Sequence, residues 1–324
     1  MVKRFELLDS SLVPSESADS PILVFVNPDA SEKNILLNSF SIDEHTLLSA
    51  LDPDEVSRIE IYDDVLSLIW KRPMNYSGKD NFYFNVASIG LFLVKDRLAI
   101  VLTEEISIAP TGARKLHRLD SLLNVLLAIL YETIYHYLEH LKVIKMISRD
   151  LQQKINTAME NKHLIQMFNL SESLVYYANA INGNNAVLTR LRSHAEKVGF
   201  APQILDLLDD LIIENNQCFR QAEIYSTVFS GLMDARGTLV NNNMNVLLKN
   251  LTIINVVFLP LNLIAGIFGM SEFSMMTGGM DWRISYPLLF IAILVIGWLT
   301  AFYLGKLNFA NNKLLRRKRN QRPP

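Results

Sequence analysis

One cysteine, Cys218, stands in 324 residues. That excludes an internal disulfide framework and a thiolate zinc cluster. Charge is scarce at 20% of residues. It is absent altogether from two runs, 251–270 and 286–305, of 20 residues each. Proline is missing from 203–259, so nothing in the sequence breaks a helix there. The N-terminal "MVKRFELLDS" has no apolar core after its charged start. It is not a signal peptide, and residues 1–245 are expected to stay on the cytoplasmic side. No glycine-rich phosphate loop and no Ser-His-Asp arrangement stands out, so nothing suggests nucleotide-driven pumping, and any transport is expected to be passive or driven by an ion gradient.

What is present is hydrophobicity, at 50% of residues. A helix of 20 uncharged residues is roughly 30 Å long, the thickness of a bilayer core, so the two runs predict two membrane spans. Residues 305–324 carry seven lysines and arginines and no acid, while 271–285 has Arg283 against Glu272 and Asp281. The positive-inside rule then predicts a hairpin in the cell (inner) membrane with both termini cytoplasmic. The chain carries −2 and the tail +7, leaving −9 on residues 1–304. A body so acidic attracts cations and does not suggest a nucleic-acid partner.

Along the chain, 1–112 reads as an α/β domain. "PILVFVN", "VSRIEIYDDVLSLIW", "FYFNVASIGLFLV" and "RLAIVLTE" are rich in β-branched and aromatic residues, as strands are. "SEKNILLNS" and "SIDEHTLLSAL" read as short capped helices. Residues 113–202 read as helical, with a turn expected at Asn182-Gly183-Asn184-Asn185. From 203 to 270 the pattern predicts one stalk helix that continues into the first span at about 250–270. Ile204, Leu211, Cys218, Tyr225, Leu232 and Leu239 recur every seven residues, the mark of a helix packed along its length. Its length would be roughly 100 Å. A loop at 271–285, a second span at 286–305 and a basic tail at 306–324 complete the chain. The fold class expected is an α+β membrane protein.

The first span has a polar edge. Asn255 and Asn262 lie seven residues apart, beside a row of Asn245, Thr252, Leu259 and Gly266. Followed backwards, that row reads Thr238, Gly231, Ile224, Gln217 and Asp210. Carboxamides at bilayer depth face protein or a water-filled cavity. Two spans cannot enclose a cavity, so several copies around an axis would be needed. Two readings of the edge stay open here: the lining of a pore, or polar glue between helices.

These features resemble the CorA family of divalent-cation channels. The resemblance is best in "FSGLMD" (229–234), "NVLLKNLTIINVVFLPLNLIAGIFGM" (245–270) and the "YP" (286–287) that opens the second span. It implies a funnel-shaped homopentamer in the lipid bilayer, with Mg²⁺ as cargo and possible regulator, Co²⁺ or Ni²⁺ as further cargo, and no organic cofactor. It implies a selectivity loop at Gly269, Met270, Ser271 and Glu272, where serine replaces the asparagine of the family's Gly-Met-Asn. It also implies pore-lining positions at Asn245, Leu248, Thr252, Asn255, Leu259, Asn262 and Gly266. Asp210 falls where the family has a regulatory metal-binding acid, with Asp52 or Asp54 as its partner. Mg²⁺ releases its water reluctantly, so neutral oxygens would hold the hydrated ion, with Ser271 bonding to its shell. A Zn²⁺ transporter of the same family, or a non-conducting membrane protein that senses metal or binds a partner, are the alternatives. One pattern stands outside this scheme. "HYLEH" (136–140) fits H-x-x-E-H, but its setting reads as an ordinary packing helix, and no enzyme is expected.

Overall fold

The computed structural model describes residues 1–62, 65–76, 82–106, 119–157, 161–269, 275, 278–279 and 281–319. The chain divides into two compact units, Met1–Met233 and Asp234–Pro324.

Seven strands form one sheet in the first unit: β1 (Val2–Leu8), β2 (Ser11–Pro14), β3 (Ile22–Val26), β4 (Arg58–Tyr62), β5 (Val65–Pro73), β6 (Val86–Val94) and β7 (Arg97–Leu102). Their order is β2-β1-β3-β7-β6-β5-β4, and only β3 and β7 pair in parallel. The strand-rich segments of 21–104 form β3 to β7 as expected. The hairpin of β1 and β2 was not anticipated. Asp9 and Ser10 both have positive φ, 49° and 59°, the two-residue turn that matches strand twist.

Period-two alternation divides the sheet between two cores. On one face α1 (Ala30–Ser39) and α2 (Glu44–Leu51) cover Leu23, Phe25, Ile69, Phe92 and Val101. Asp29 and Asp43 cap these helices by accepting from the backbone N–H of Glu32 and Thr46. At Gly90 a Cβ would lie 2.6 Å from Ala50 Cβ, so glycine is what lets α2 sit this close to β6. The opposite face carries Trp70, Leu68, Ile89, Leu91 and Ile100 under the helices that follow.

Those helices are α3 (Leu122–Thr157), α4 (Asn161–Ser193), the single turn α5 (Ala195–Val198) and α6 (Pro202–Phe268). The turn expected at 182–185 does not exist: α4 runs through it unbroken. The turn-like residues serve tertiary contacts instead. β4 pairs with β5 no further than Arg58–Ile69, which leaves the next peptide groups of β5 without a strand on that side, while β6 pairs with the other edge. Asn184 supplies their partner. Its Oδ1 accepts from Lys71 N–H at 3.0 Å and its Nδ2 donates to Lys71 C=O at 2.8 Å. Its Oδ1 also accepts from Ser57 Oγ at 2.8 Å, and a Cβ on Gly183 would meet that same Oγ at 3.1 Å.

The buried positions of α6 in this unit are Leu208, Leu211, Asn215, Cys218, Ala222 and Phe229. They alternate in steps of three and four, so the seam has two rows. The row through Leu211 and Cys218 is legible as apolar sequence. The row through Leu208, Asn215, Ala222 and Phe229 is not, because it contains an asparagine and an alanine. Asn215 is fully buried, and its Nδ2 donates to Ile181 C=O at 3.0 Å.

The second unit holds the rest of α6 and α7 (Trp282–Arg319). Both helices contain stretches long and apolar enough to cross a bilayer, within Pro202–Ile267 and at Arg283–Thr300.

Candidate ion pathway

In the first span two faces of α6 separate. The half-buried positions are Ile253, Val257, Pro260, Leu261 and Ile264, spaced as one helical stripe. On α7 the half-buried positions Ser285, Leu289, Ile293, Ile296, Gly297 and Thr300 make a matching stripe. The two meet where Gly297 receives Leu261: a Cβ on that glycine would lie 3.3 Å from Leu261 Cδ1. All seven positions expected to line a pore, from Asn245 to Gly266, are exposed in the single chain. At 100° per residue they fall on the side of α6 turned away from α7. The second span therefore leaves both carboxamides, Asn255 and Asn262, uncovered.

The hydroxyl of Thr252 donates to Leu248 C=O at 2.8 Å. With its proton committed to the helix, Thr252 presents only oxygen lone pairs outward. Pro260 sits inside the helix and has no N–H to donate, which spares one carbonyl a turn earlier.

Gly269 N–H closes the helix on Ala265 C=O at 3.1 Å. Met270, Ser271 and Glu272 of the expected selectivity loop lie outside the described residues. Asp281 starts α7: its carboxylate accepts from Arg283 N–H at 3.1 Å, and its carbonyl accepts from Ile284 and Ser285. Asp281, one of the two acids of the expected 271–285 loop, is thus a helix cap.

Asp210 is exposed on α6. Asp209 beside it accepts two bonds from Arg192, at 2.7 and 3.0 Å, and these hold its carboxyl below the usual carboxylate range. Asp52 and Asp54 occupy an exposed turn after α2, where Asp52 Oδ1 accepts from Asp54 N–H at 2.9 Å. Beneath the turn lies a residue that sequence reading passed over. Lys71 is buried on β5, and its ammonium donates to Pro53 C=O at 2.5 Å and Ser88 Oγ at 3.0 Å. Burial lowers its pKa, while Asp52, Asp54 and Glu55 oppose that shift. In sequence it stands beside Arg72 at the end of β5, where a basic pair reads as a strand edge.

The "HYLEH" histidines find no third metal ligand among the described residues. His140 is buried, its Nδ1 lies 2.6 Å from Tyr177 Oη, and burial with the adjacent His136 lowers its pKa to about 3. His136 is lowered too, first by burial. Among the described residues no group of three or more His, Cys, Asp and Glu side chains is placed to hold a metal ion. Cys218 is buried as expected, and burial pushes its thiol up to about 12, so it is inert.

Comparison with known proteins bears on the whole of this arrangement. A family described as CorA-like Mg²⁺ transporter protein matches residues 19–306. The cobalt/magnesium transport protein CorA of Methanocaldococcus jannaschii is 23% identical over 256 residues, which is 76% of this chain and 78% of that protein. The cobalt/magnesium transport protein CorA of Thermotoga maritima is 34% identical over 105 residues, 32% of this chain and 28% of that one. The complete structure of the CorA magnesium transporter from M. jannaschii superimposes with a TM-score of 0.69, over 94% of this chain and 96% of that chain, at 19% identity. At that identity the likeness establishes the fold: an N-terminal α/β domain, a long helix and two candidate spans.

Proposed function

The chain belongs to the CorA-like Mg²⁺ transporter family, and on that premise we propose that it conducts hydrated divalent cations, Mg²⁺ first, with Co²⁺ and Ni²⁺ as further cargo. It is a transporter of divalent cations and not an enzyme. Five copies surround an axis in the cell (inner) membrane as a funnel, with both termini in the cytoplasm. The first spans turn their polar edges inward. One observation carries the reading: Asn245, Thr252, Asn255 and Asn262 share the side of α6 that faces away from α7. Carboxamides left uncovered by their own chain at bilayer depth need water or other copies.

In this pathway the carboxamides and the Thr252 oxygen bond to the water around the ion, not to the ion itself. Leu248 and Leu259 form apolar constrictions that block passage when dry. Gly269, Met270, Ser271 and Glu272 form the outer filter, with Gly266 just below. Uptake into liposomes containing the purified protein, compared across Mg²⁺, Zn²⁺, Co²⁺ and Na⁺, tests the reading. Mg²⁺ should lead, and Ser271→Asn should shift the preference among the divalent ions. Zn²⁺ uptake without Mg²⁺ uptake would reassign the cargo. No uptake of any divalent ion would leave a sensor, not a conductor.

Gating is proposed to come from cytoplasmic metal. Asp210 of one copy and Asp52 or Asp54 of the next repel each other unless a cation lies between them, so metal holds the ring closed. Asp210→Ala should leave uptake active at internal Mg²⁺ concentrations that silence the parent. Unchanged inhibition would reject the role.

A further inference from the structure

One glycine of α7 is packed against the other helix of its unit. A Cβ on Gly297 would lie 3.3, 3.6 and 4.0 Å from Cδ1, Cδ2 and Cγ of Leu261, so the end of that side chain rests on bare backbone. Two glycines of α6 in the same unit differ: nothing lies within 4 Å of where a Cβ would stand on Gly237 or Gly266. Glycine weakens a helix interior. At 297 it also makes a hole that the neighbouring helix fills, as small residues do between membrane helices.

The leucine that fills it stands where α6 is weakest. Pro260 precedes it inside the helix and donates no N–H, so one backbone bond is missing at this point. Both residues belong to the half-buried stripe that meets α7. On the α7 side Thr300 uses its hydroxyl within its own helix, donating to Ile296 C=O at 3.0 Å and Gly297 C=O at 2.9 Å. It has no proton left with which to hold α6, so steric fit sets the match of the two helices here.

That match matters because of where the carboxamides lie around α6. At about 100° per residue, the seven proposed pore-lining positions span an arc from about 100° to about 200° round the helix from Leu261. Asn262 and Asn255 stand on its near flank, at about 100° and about 120°, and Thr252 stands at about 180°. A roll of half a residue, about 50°, would carry Asn262 either to about 50°, beneath α7, or to about 150°, the middle of the arc. Thr252 would move to about 130° or about 230° in the same two cases. Either roll therefore changes the exposure of Asn262 and Thr252 in opposite senses.

We propose that Leu261 and Gly297 form a knob and hole that sets the rotation of α6, and so keeps Asn255 and Asn262 clear of α7 and on the proposed pathway. Neither residue touches the ion: both are positioning residues that act through the carboxamides. This rests on the pathway proposed above and adds the pair that orients it.

The test uses the full-length protein in a Cys218→Ser background, which removes its one native thiol. Asn262→Cys and Thr252→Cys are each labelled in liposomes with a charged, membrane-impermeant methanethiosulfonate on both sides, and the ratio of the two rates is read. Gly297→Ile fills the hole and Leu261→Ala removes the knob. Each should change that ratio about threefold or more, because labelling needs an accessible thiolate. The two together should return it to the parent value, since the new side chain then occupies the space the leucine left. Native mass reads assembly on the same preparations. Should Gly297→Ile fail to assemble, Leu261→Ala carries the same comparison, and failure of both would assign the pair to assembly and overturn its orienting role. Assembled variants with an unchanged ratio, or a changed ratio that the double variant does not restore, overturn the pair and leave the pathway standing. If neither cysteine is labelled in the otherwise unaltered protein, the polar edge is dry, and the pathway falls together with this inference.

Discussion

Replacing Asn262 by leucine separates the two readings of the polar edge. Asn262 lies on the exposed side of α6, away from the stripe that meets α7. In a hydrated pathway its carboxamide bonds to a water in the shell of the passing ion. A hydrogen bond to a water polarised by the ion is worth about 1.5 kcal/mol, the upper end for a neutral pair. With two amides of the ring engaged at once, their loss raises the barrier by about 3 kcal/mol, or about 100-fold in rate. Asn255 does not compensate: seven residues of helix place it about 10 Å away along the axis, beyond the shell of the same ion. Leucine packs well between helices, so assembly survives. If the amide instead served as glue, its loss would cost about 0.6 to 1.7 kcal/mol per interhelical bond. The variant would then lose assembly and uptake together. The assay is Mg²⁺ uptake into liposomes at matched protein density, with native mass on the same preparation. Intact assembly with uptake about 100-fold lower is expected. Intact assembly with uptake within threefold of the parent would refute the hydrated pathway at this position.

Two further outcomes concern the α/β domain. Asn184→Ala strips both partners from the buried Lys71 peptide and should cost about 3 kcal/mol; a thermal midpoint within a degree of the parent would show the clamp to be dispensable. His140 gives a pH dependence. Its folded pKa, about 3, lies below the unfolded value near 6.5. Between those values the unfolded chain binds the extra proton, so stability is full above about pH 6.5 and is lost as pH falls towards 3. His140→Phe should flatten that limb in pH-dependent unfolding, and an unchanged slope would assign the acid sensitivity elsewhere.

The sequence made legible whatever depends on local pattern. The five strands β3 to β7, the two capped helices and the continuous stalk into the first span followed from alternation, caps and missing proline. The hairpin of β1 and β2 escaped because "VKRFELL" alternates poorly: Arg4 and Glu6 sit where a half-buried strand offers little hydrophobic contrast. The false turn at 182–185 has the same kind of cause. Asn-Gly-Asn-Asn is turn chemistry only when nothing else uses it. Here a strand that stops short at Arg58 uses the asparagine, and a close loop uses the glycine. Neither fact lies within ten residues of the motif. Of the pathway, the polar row was legible, because seven-residue spacing survives in a list of letters. The side of α6 taken by α7 was not, because nothing in either helix alone says which stripe meets which. Lys71 was invisible for the opposite reason: a lysine in a strand reads as an edge, and only the turn folded over it shows that it is inside.

The absence of carboxylates from the first-span part of the proposed pathway, Asn245 to Gly266, follows from the size of the charges. At an effective dielectric of 20, two unit charges 4 Å apart attract by about 4 kcal/mol. A dication beside one carboxylate gains about 8 kcal/mol by the same rule, and a symmetric ring multiplies that gain by its copies. Each 1.4 kcal/mol slows escape tenfold, so a carboxylate ring at Asn255 or Asn262 would hold the ion rather than pass it. Carboxamides that bond through water offer about 1.5 kcal/mol each, enough to replace bulk solvent and too little to trap. The charge that gathers cations is placed elsewhere: −9 over residues 1–304, with no charged residue in 251–270. Attraction acts at a distance, where salt screens it to about 8 Å, and passage occurs where only dipoles are in reach. Asn255→Asp tests that division, because it moves one charge per copy from the first task to the second: apparent Mg²⁺ affinity should rise while maximal uptake falls. A rise in both would show that release does not limit transport, and the reason for a neutral pathway would have to be sought in ion selection.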